Sequence, residues 1–144
     1  MKNYTIIGGV DGTGKSSLTG VLRETVSDLG IIIDADQLSK QYGSNLAGGK
    51  AAVRQCINTG YSFTHETTLS GSKTMRTIKL AQDNGYYIRM YYIGLGSVEE
   101  SIERIANRHR KGGHTIPEED CAGDIRNVLT ACLTLCRFAM RFFL

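Results

Sequence analysis

Tyr4-Thr5-Ile6-Ile7-Gly8-Gly9-Val10-Asp11-Gly12-Thr13-Gly14-Lys15-Ser16-Ser17-Leu18 decides the fold, because an apolar run, a glycine-rich turn and the start of an amphipathic helix follow one another without a break. Gly9 to Ser16 fill the pattern G-x-x-x-x-G-K-[ST], a phosphate loop, and the pattern has meaning only between a strand and a helix. Both flanks qualify. Tyr4 to Ile7 is β-branched and aromatic, while Leu18, Val21, Leu22, Thr25, Val26 and Leu29 recur at helical spacing, with Gly30 closing the helix. Glycines 9, 12 and 14 allow positive φ and close approach of backbone N–H groups to phosphate oxygens, with the positive end of the helix dipole behind them. The candidate nucleotide ligands are Gly9, Asp11, Gly12, Thr13, Gly14, Lys15, Ser16 and Ser17. Lys15 is expected to reach the β and γ phosphates of ATP, and the Ser16 hydroxyl to ligand the accompanying Mg²⁺.

The chain has 144 residues and is 41% hydrophobic, enough for one cored domain over residues 1–144. A net charge of +3 with interspersed signs gives no field that argues for nucleic acid or membrane as a partner. No charged-then-apolar leader and no run of membrane-spanning length is present, which predicts a cytoplasmic protein. The cysteines at 56, 121, 132 and 136 form no Cys-x-x-Cys pair and no metal spacing with the histidines. Cys132 and Cys136 share an apolar face with Ile125, Val128, Leu129 and Leu133, so packing is their expected role.

Strand-like and helix-like runs alternate along the chain, which implies parallel strands joined by crossover helices. Ile31-Ile32-Ile33 reads as a short buried strand ending in Asp34-Ala35-Asp36. A helix near Lys50 to Asn58 buries Val53, Cys56 and Ile57; a third strand spans Tyr61 to Thr64 and ends in His65-Glu66-Thr67-Thr68-Leu69-Ser70-Gly71. A helix from Ser72 to Asn84 and a long strand from Tyr86 to Ile93 follow. Ser97-Val98-Glu99-Glu100 is a capping box opening another helix, residues 125–136 suit a last helix, and Ala139 to Leu144 a final strand. The expected fold is α/β of the P-loop NTPase type, a doubly wound, mostly parallel five-stranded sheet with helices on both faces. In such sheets ligands bind beyond the carboxyl ends of the strands, which gathers Asp34, Asp36 and Glu66 around the phosphate loop.

Asp36 is the candidate catalytic carboxylate, placed to take the proton of an attacking hydroxyl or orient it, and it also suits a helix N-cap. Asp34 can assist Mg²⁺ through water or bond to backbone at the strand end. Glu66, with Thr67 and Thr68, is the candidate contact to a small-molecule acceptor, or Glu66 ends in a salt bridge; His65 reads as a rim residue. Arg104 and Arg108, at i and i+4, lie with Arg110 and Lys111 before the Gly112-Gly113 break. They are candidate cations for the transferring phosphoryl group on a lid, or a solvated helix end.

With these residues in place the chain resembles the zeta-toxin family of P-loop kinases over about residues 4 to 120. The resemblance is carried by GGVDGTGKSSL, IIDAD, SFTHETTLSG, YYIGLGSVEESIERIANR and RKGGHTIPEE. It implies ATP-dependent phosphoryl transfer, with UDP-N-acetylglucosamine as acceptor and a proteinaceous antitoxin as partner. In that scheme Asp36 matches the catalytic base, Glu66 the sugar-nucleotide contact, and Lys15 and Ser16 the ATP and Mg²⁺ ligands. The chain departs from the family pattern at residues 120–124, where Asp-Cys-Ala-Gly-Asp replaces basic residues, at Gly96, and in its apolar end. A nucleotide-binding relative without efficient transfer and a P-loop kinase for another hydroxylated metabolite are the alternative readings.

Overall fold

The computed structural model describes residues 1–10, 12–34, 47–69, 72–94 and 142–143. Its elements are β1 (Lys2–Gly8), α1 (Lys15–Thr25), β2 (Ile31–Ile33), α2 (Ala47–Thr59), β3 (Phe63–Thr67), α3 (Ser72–Asp83), β4 (Tyr86–Tyr92) and β5 (Phe142–Phe143). They form a parallel sheet in the order β2-β3-β1-β4-β5, as expected of alternating strands and helices. β1 is central, and its side chains from Asn3 to Ile7 are buried to both sides.

Alternation along the strands sorts the core into two layers. Tyr4, Ile6, Ile33, Phe63, Ile88 and Met90 face α2 and α3, where Val53, Cys56, Ile57, Ile78 and Ala81 close over them. Ile7, with Leu22 and Leu29, forms the layer against α1, joined by the partly buried Leu18, Val26, Ile32 and Tyr91. Helices therefore cover both faces. Register fixes the larger layer: Tyr4 sits opposite Phe63 on one side and Ile88 on the other. The Tyr4 and Phe63 rings stack at 4.4 Å, and Tyr86 meets Phe63 edge-on at 5.7 Å. Each such fully buried side chain contributes about 1.5–3 kcal/mol.

Several expected boundaries shift. α1 ends at Thr25, since Val26 is already extended (φ −123°, ψ 108°) while its N–H still bonds to the Leu22 carbonyl at 2.8 Å. Leu29 keeps the helical period only because the following turn returns it to the same core layer. Gly30 thus closes a turn rather than the helix. Val21 lies on the outer face at 58% exposure. β2 is an edge strand in which Ile31 is exposed and only Ile33 is buried, so it is not a buried strand on both faces. β3 begins at Phe63 and carries His65, Glu66 and Thr67 within it, whereas Tyr61 is exposed before it. α2 starts three residues earlier than expected, at Ala47, and α3 and β4 fall within one residue of their expected spans. β5 lies inside the expected final strand, parallel to β4. The capping box at 97–100 and the helices expected beyond it lie outside the described residues. Among the described residues no helix is long and apolar enough to cross a membrane.

Two polar arrangements tie these layers together. On the α1 side, Arg89 of β4 bonds to Thr5 Oγ1 at 2.9 Å and Asp28 Oδ1 at 2.8 Å, and Asn3 Nδ2 donates to Asp28 Oδ2 at 2.7 Å. The guanidinium bond holds the Asp28 carboxyl below its ordinary range. On the other side, the buried Tyr4 hydroxyl lies 3.3 Å from Nδ1 of His65. His65 is therefore half-buried against the core rather than a simple rim residue, and burial lowers its pKa to about 4.

The folded state thus disfavours the imidazolium, while the unfolded chain takes up that proton from about pH 6.5 downward. Stability is full above that point and falls as the pH drops from about 6.5 to about 4, by at most about 3 kcal/mol. Asp28 acts below this window, because its carboxyl is shifted down from 3.8. Urea unfolding at pH 7 and pH 4.5 should show this loss in the parent chain and a much smaller one in His65→Gln, which keeps an acceptor for Tyr4. Equal losses in the two proteins would assign the acid sensitivity elsewhere.

Candidate nucleotide-binding site

The turn after β1 has the geometry its glycines suggest. Gly12 and Gly14 take φ of 83° and 91°, a region L side chains enter only with strain. At Gly9 the constraint is space, because a Cβ there would lie 2.7 Å from the Ile93 carbonyl oxygen and 2.8 Å from Thr13 Oγ1. The loop is anchored on both sides of β1: Gly9 N–H donates to the Thr67 carbonyl at 3.3 Å, and Ile93 N–H to the Gly8 carbonyl at 2.8 Å. Thr13 is buried and turns its hydroxyl inward onto the Val10 carbonyl at 2.8 Å.

α1 starts at Lys15 with Gly14 as an N-cap that supplies no side-chain bond, and its first turn has no acidic residue. Its hydrogen-bond ladder begins with Leu18 N–H to the Gly14 carbonyl at 3.0 Å, so Ser16 and Ser17 precede the first ladder donor. Both are exposed. An uncapped helix start beside a positive-φ turn is an anion cradle. The Lys15 ammonium folds over this loop, donating to the Gly9 carbonyl at 2.8 Å and the Val10 carbonyl at 3.0 Å. Carbonyls therefore turn toward lysine on one side, which leaves a cation at the mouth of the cradle.

From β3, Glu66 reaches α1, and among the described residues it pairs with neither a lysine nor an arginine. Its Oε2 accepts from Ser16 Oγ at 3.1 Å, and its Oε1 accepts from Thr19 Oγ1 at 2.5 Å. In place of the salt bridge that is the alternative reading of Glu66, the carboxylate makes two hydroxyl contacts on the helix behind the phosphate loop. A serine hydroxyl and a carboxylate are hard oxygen donors that suit Mg²⁺, which usually keeps phosphate and water ligands as well. Among the described residues no group of three or more His, Cys, Asp or Glu side chains forms an all-protein metal cage. The donor set fits a metal held chiefly by Ser16 and the nucleotide.

The segment after Glu66 is bent sharply. Thr67 Oγ1 accepts the Leu69 N–H at 3.1 Å, and Leu69 is a non-glycine residue at φ 62° whose side chain is fully buried. Such a conformation costs about 1–3 kcal/mol. Gly8 makes it possible, because a Cβ on Gly8 would stand 2.5 Å from Leu69 Cδ1. Leu69 thereby locks the β3 end to the β1 end, beside the half-buried Thr67 and Thr68. Asp34 is half-buried just past β2 at the same rim. Asp11, Asp36, Arg104, Arg108, Arg110 and Lys111 lie outside the described residues.

Thr19 and the Gly8–Leu69 pair were not among the expected site residues. Thr19 follows Ser16 by three positions and Lys15 by four, the spacing that places all three on one helix face, and that spacing is its only sequence signal. Nothing in the periodicity of residues 62–71 marks the turn at Leu69.

The comparisons with known proteins bear on the family and the fold. The Zeta toxin family matches residues 47–139, downstream of the phosphate loop and over most of the chain. An uncharacterized protein of Haemophilus influenzae is 32% identical over 120 residues, which cover 77% of this chain and 84% of that protein. Among solved structures, one from the PezAT chromosomal toxin–antitoxin system of Streptococcus pneumoniae superposes with a TM-score of 0.61 at 22% identity, covering 77% of this chain. One from the Pnkp1/Rnl/Hen1 RNA repair complex gives 0.73 at 17% identity, covering 92%. A gluconokinase from Sinorhizobium meliloti gives 0.52 at 17% identity, covering 88% of this chain and 74% of its own. This chain spans 54% and 46% of the lengths of the first two structures, and at these identities the likeness is one of fold. With a phosphate loop before α1, a parallel α/β sheet and a family match over residues 47–139, the chain belongs to the Zeta toxin family of P-loop kinases.

Proposed function

We propose that this protein is a kinase that transfers the γ-phosphate of ATP to a hydroxyl of a small molecule, with UDP-N-acetylglucosamine as the acceptor the family resemblance implies. The observation that carries the reading is the meeting of three features at one point: an uncapped helix start, the Lys15 ammonium over the loop, and Glu66 against Ser16. A lone anion site would need only the first. In the proposed reaction the acceptor oxygen bonds to the γ-phosphorus as the bond to the β–γ bridging oxygen breaks, ADP leaves, and the acceptor proton passes to Asp36. Lys15 follows the phosphate charge, and Arg104 and Arg108 close on the phosphoryl oxygens. Ser16 would hold Mg²⁺, which supplies charge neutralisation across the β and γ phosphates. Thr67 and Thr68, fixed beside Glu66 by the Leu69 turn, are the polar contacts for the acceptor. A proteinaceous antitoxin that covers the ATP site is the partner this reading entails, in the cytoplasm, where ATP is abundant.

Asp36→Asn separates the base from the binder. Transfer should fall by about 10²–10⁴, the usual worth of a positioned general base. ATP affinity, measured by calorimetry, should stay within about twofold because the phosphate cradle is intact. Undiminished transfer in this variant would remove Asp36 from the mechanism.

A further inference from the structure

Thr19 is buried at 4% exposure, yet its hydroxyl has more partners in reach than it needs. It stands 3.0 Å from the Lys15 carbonyl, one turn back in α1, and that local bond alone would satisfy it. The same oxygen also stands 2.5 Å from Oε1 of Glu66, a residue 47 positions away on β3. A hydroxyl has one proton, and a carboxylate is a stronger acceptor than a peptide carbonyl. The contact therefore serves Glu66 more than Thr19. Ser16 takes the other carboxylate oxygen at 3.1 Å, so α1 grips both oxygens from two successive turns.

We propose that Thr19 is a positioning residue for the metal–nucleotide site: it fixes the Glu66 carboxylate so that the Ser16 proton is drawn to Oε2 and the Ser16 lone pairs are left for the cation. The proposal rests on the reading of Ser16 as the Mg²⁺ ligand and goes beyond it, since it gives a role to Thr19, which lies outside the phosphate loop and bonds to Glu66. A glutamate loses much rotamer freedom when it is fixed, and Thr19 imposes that order before any ligand arrives. A carboxylate has about four lone-pair positions, and Ser16 and Thr19 use two. Acceptor hydroxyls can meet Glu66 without displacing either.

The test is the affinity of the full chain for a fluorescent ATP analogue, titrated in EDTA and at a series of Mg²⁺ concentrations. Thr19→Val keeps the shape and removes the hydroxyl. It should raise the Mg²⁺ concentration needed for half-maximal enhancement of binding by about tenfold, the low end for loss of an outer partner of a metal ligand. Affinity in EDTA should not change, and Thr19→Ser should restore the parent curve. If the valine variant fails to fold, Thr19→Ala gives the same readout without a branched side chain. An unchanged Mg²⁺ curve, or equal weakening with and without Mg²⁺, would overturn the proposal and leave Thr19 with a packing role. Ser16→Ala should abolish the Mg²⁺ enhancement. Should it persist there, the assignment of Ser16 fails and the proposal falls with it, whereas its loss there with no effect of Thr19→Val refutes the positioning role alone.

Discussion

Lys15→Ala should weaken ATP binding by about 100-fold and reduce phosphoryl transfer below detection while leaving the fold in place. Two charge-assisted hydrogen bonds from an ammonium to phosphate oxygens, each contributing about 1.5 kcal/mol, account for about 3 kcal/mol, or roughly two decades of affinity. The loss in transfer should be larger, because charge on the γ-phosphoryl group grows in the transition state. Stability should change by about 1–3 kcal/mol, since the substitution removes the ammonium's hydrogen bonds to the carbonyls of the buried Gly9 and Val10. Calorimetric titration with ATP and thermal unfolding of the same sample separate the two effects. Full ATP affinity in the alanine variant would mean that the loop is not the phosphate site.

Gly30→Ala should be the most damaging single-methyl change in the described fold. Gly30 has φ 65°, and a Cβ there would fall 1.9 Å from the Ser62 carbonyl oxygen and 2.2 Å from its carbonyl carbon. Neither atom is the end of a flexible side chain. That same oxygen accepts the Ile31 N–H at 2.9 Å, the bond that begins the β2–β3 pairing, so relief of the clash must pull the edge strand away. We expect a loss of about 3–5 kcal/mol, a large part of the stability of a domain of this size. Gly85→Ala is the control: it has φ 76° with nothing within 4 Å of the added atom, so it pays only the conformational term of about 1–2 kcal/mol. Urea unfolding of the pair should show the difference. Equal losses would mean that β2 does not cross β3 as closely as described.

What was legible beforehand followed from residues whose local chemistry admits few conformations. Gly12 and Gly14 announce positive φ, Lys15 after them announces the helix start, and the alternation of apolar runs announces a parallel sheet. What was illegible depended on neighbours distant in sequence. Leu29 continues the period of α1 although the helix has ended, because a turn can return a side chain to the layer a helix would have reached. Ile31 reads as buried, yet its strand lies at the sheet edge, and edge position belongs to the strand order. Glu66 was placed at the right rim, but its partners on α1 are 47 and 50 residues away and carry no local mark. Leu69 is the sharpest case, since a left-handed leucine is disfavoured by its own backbone and is held there by the absence of a Cβ on Gly8.

The central claim is phosphoryl transfer from ATP to a small hydroxylated acceptor. Its most direct test is mass spectrometry of a mixture of UDP-N-acetylglucosamine and common hydroxylated metabolites after incubation with Mg·ATP and the protein, beside Lys15→Ala. The account predicts one added phosphate on an acceptor, the sugar nucleotide first, in the sample with the unaltered protein and none with the variant. No phosphorylated acceptor from a protein shown to bind Mg·ATP would contradict it and leave a nucleotide-binding relative without transfer.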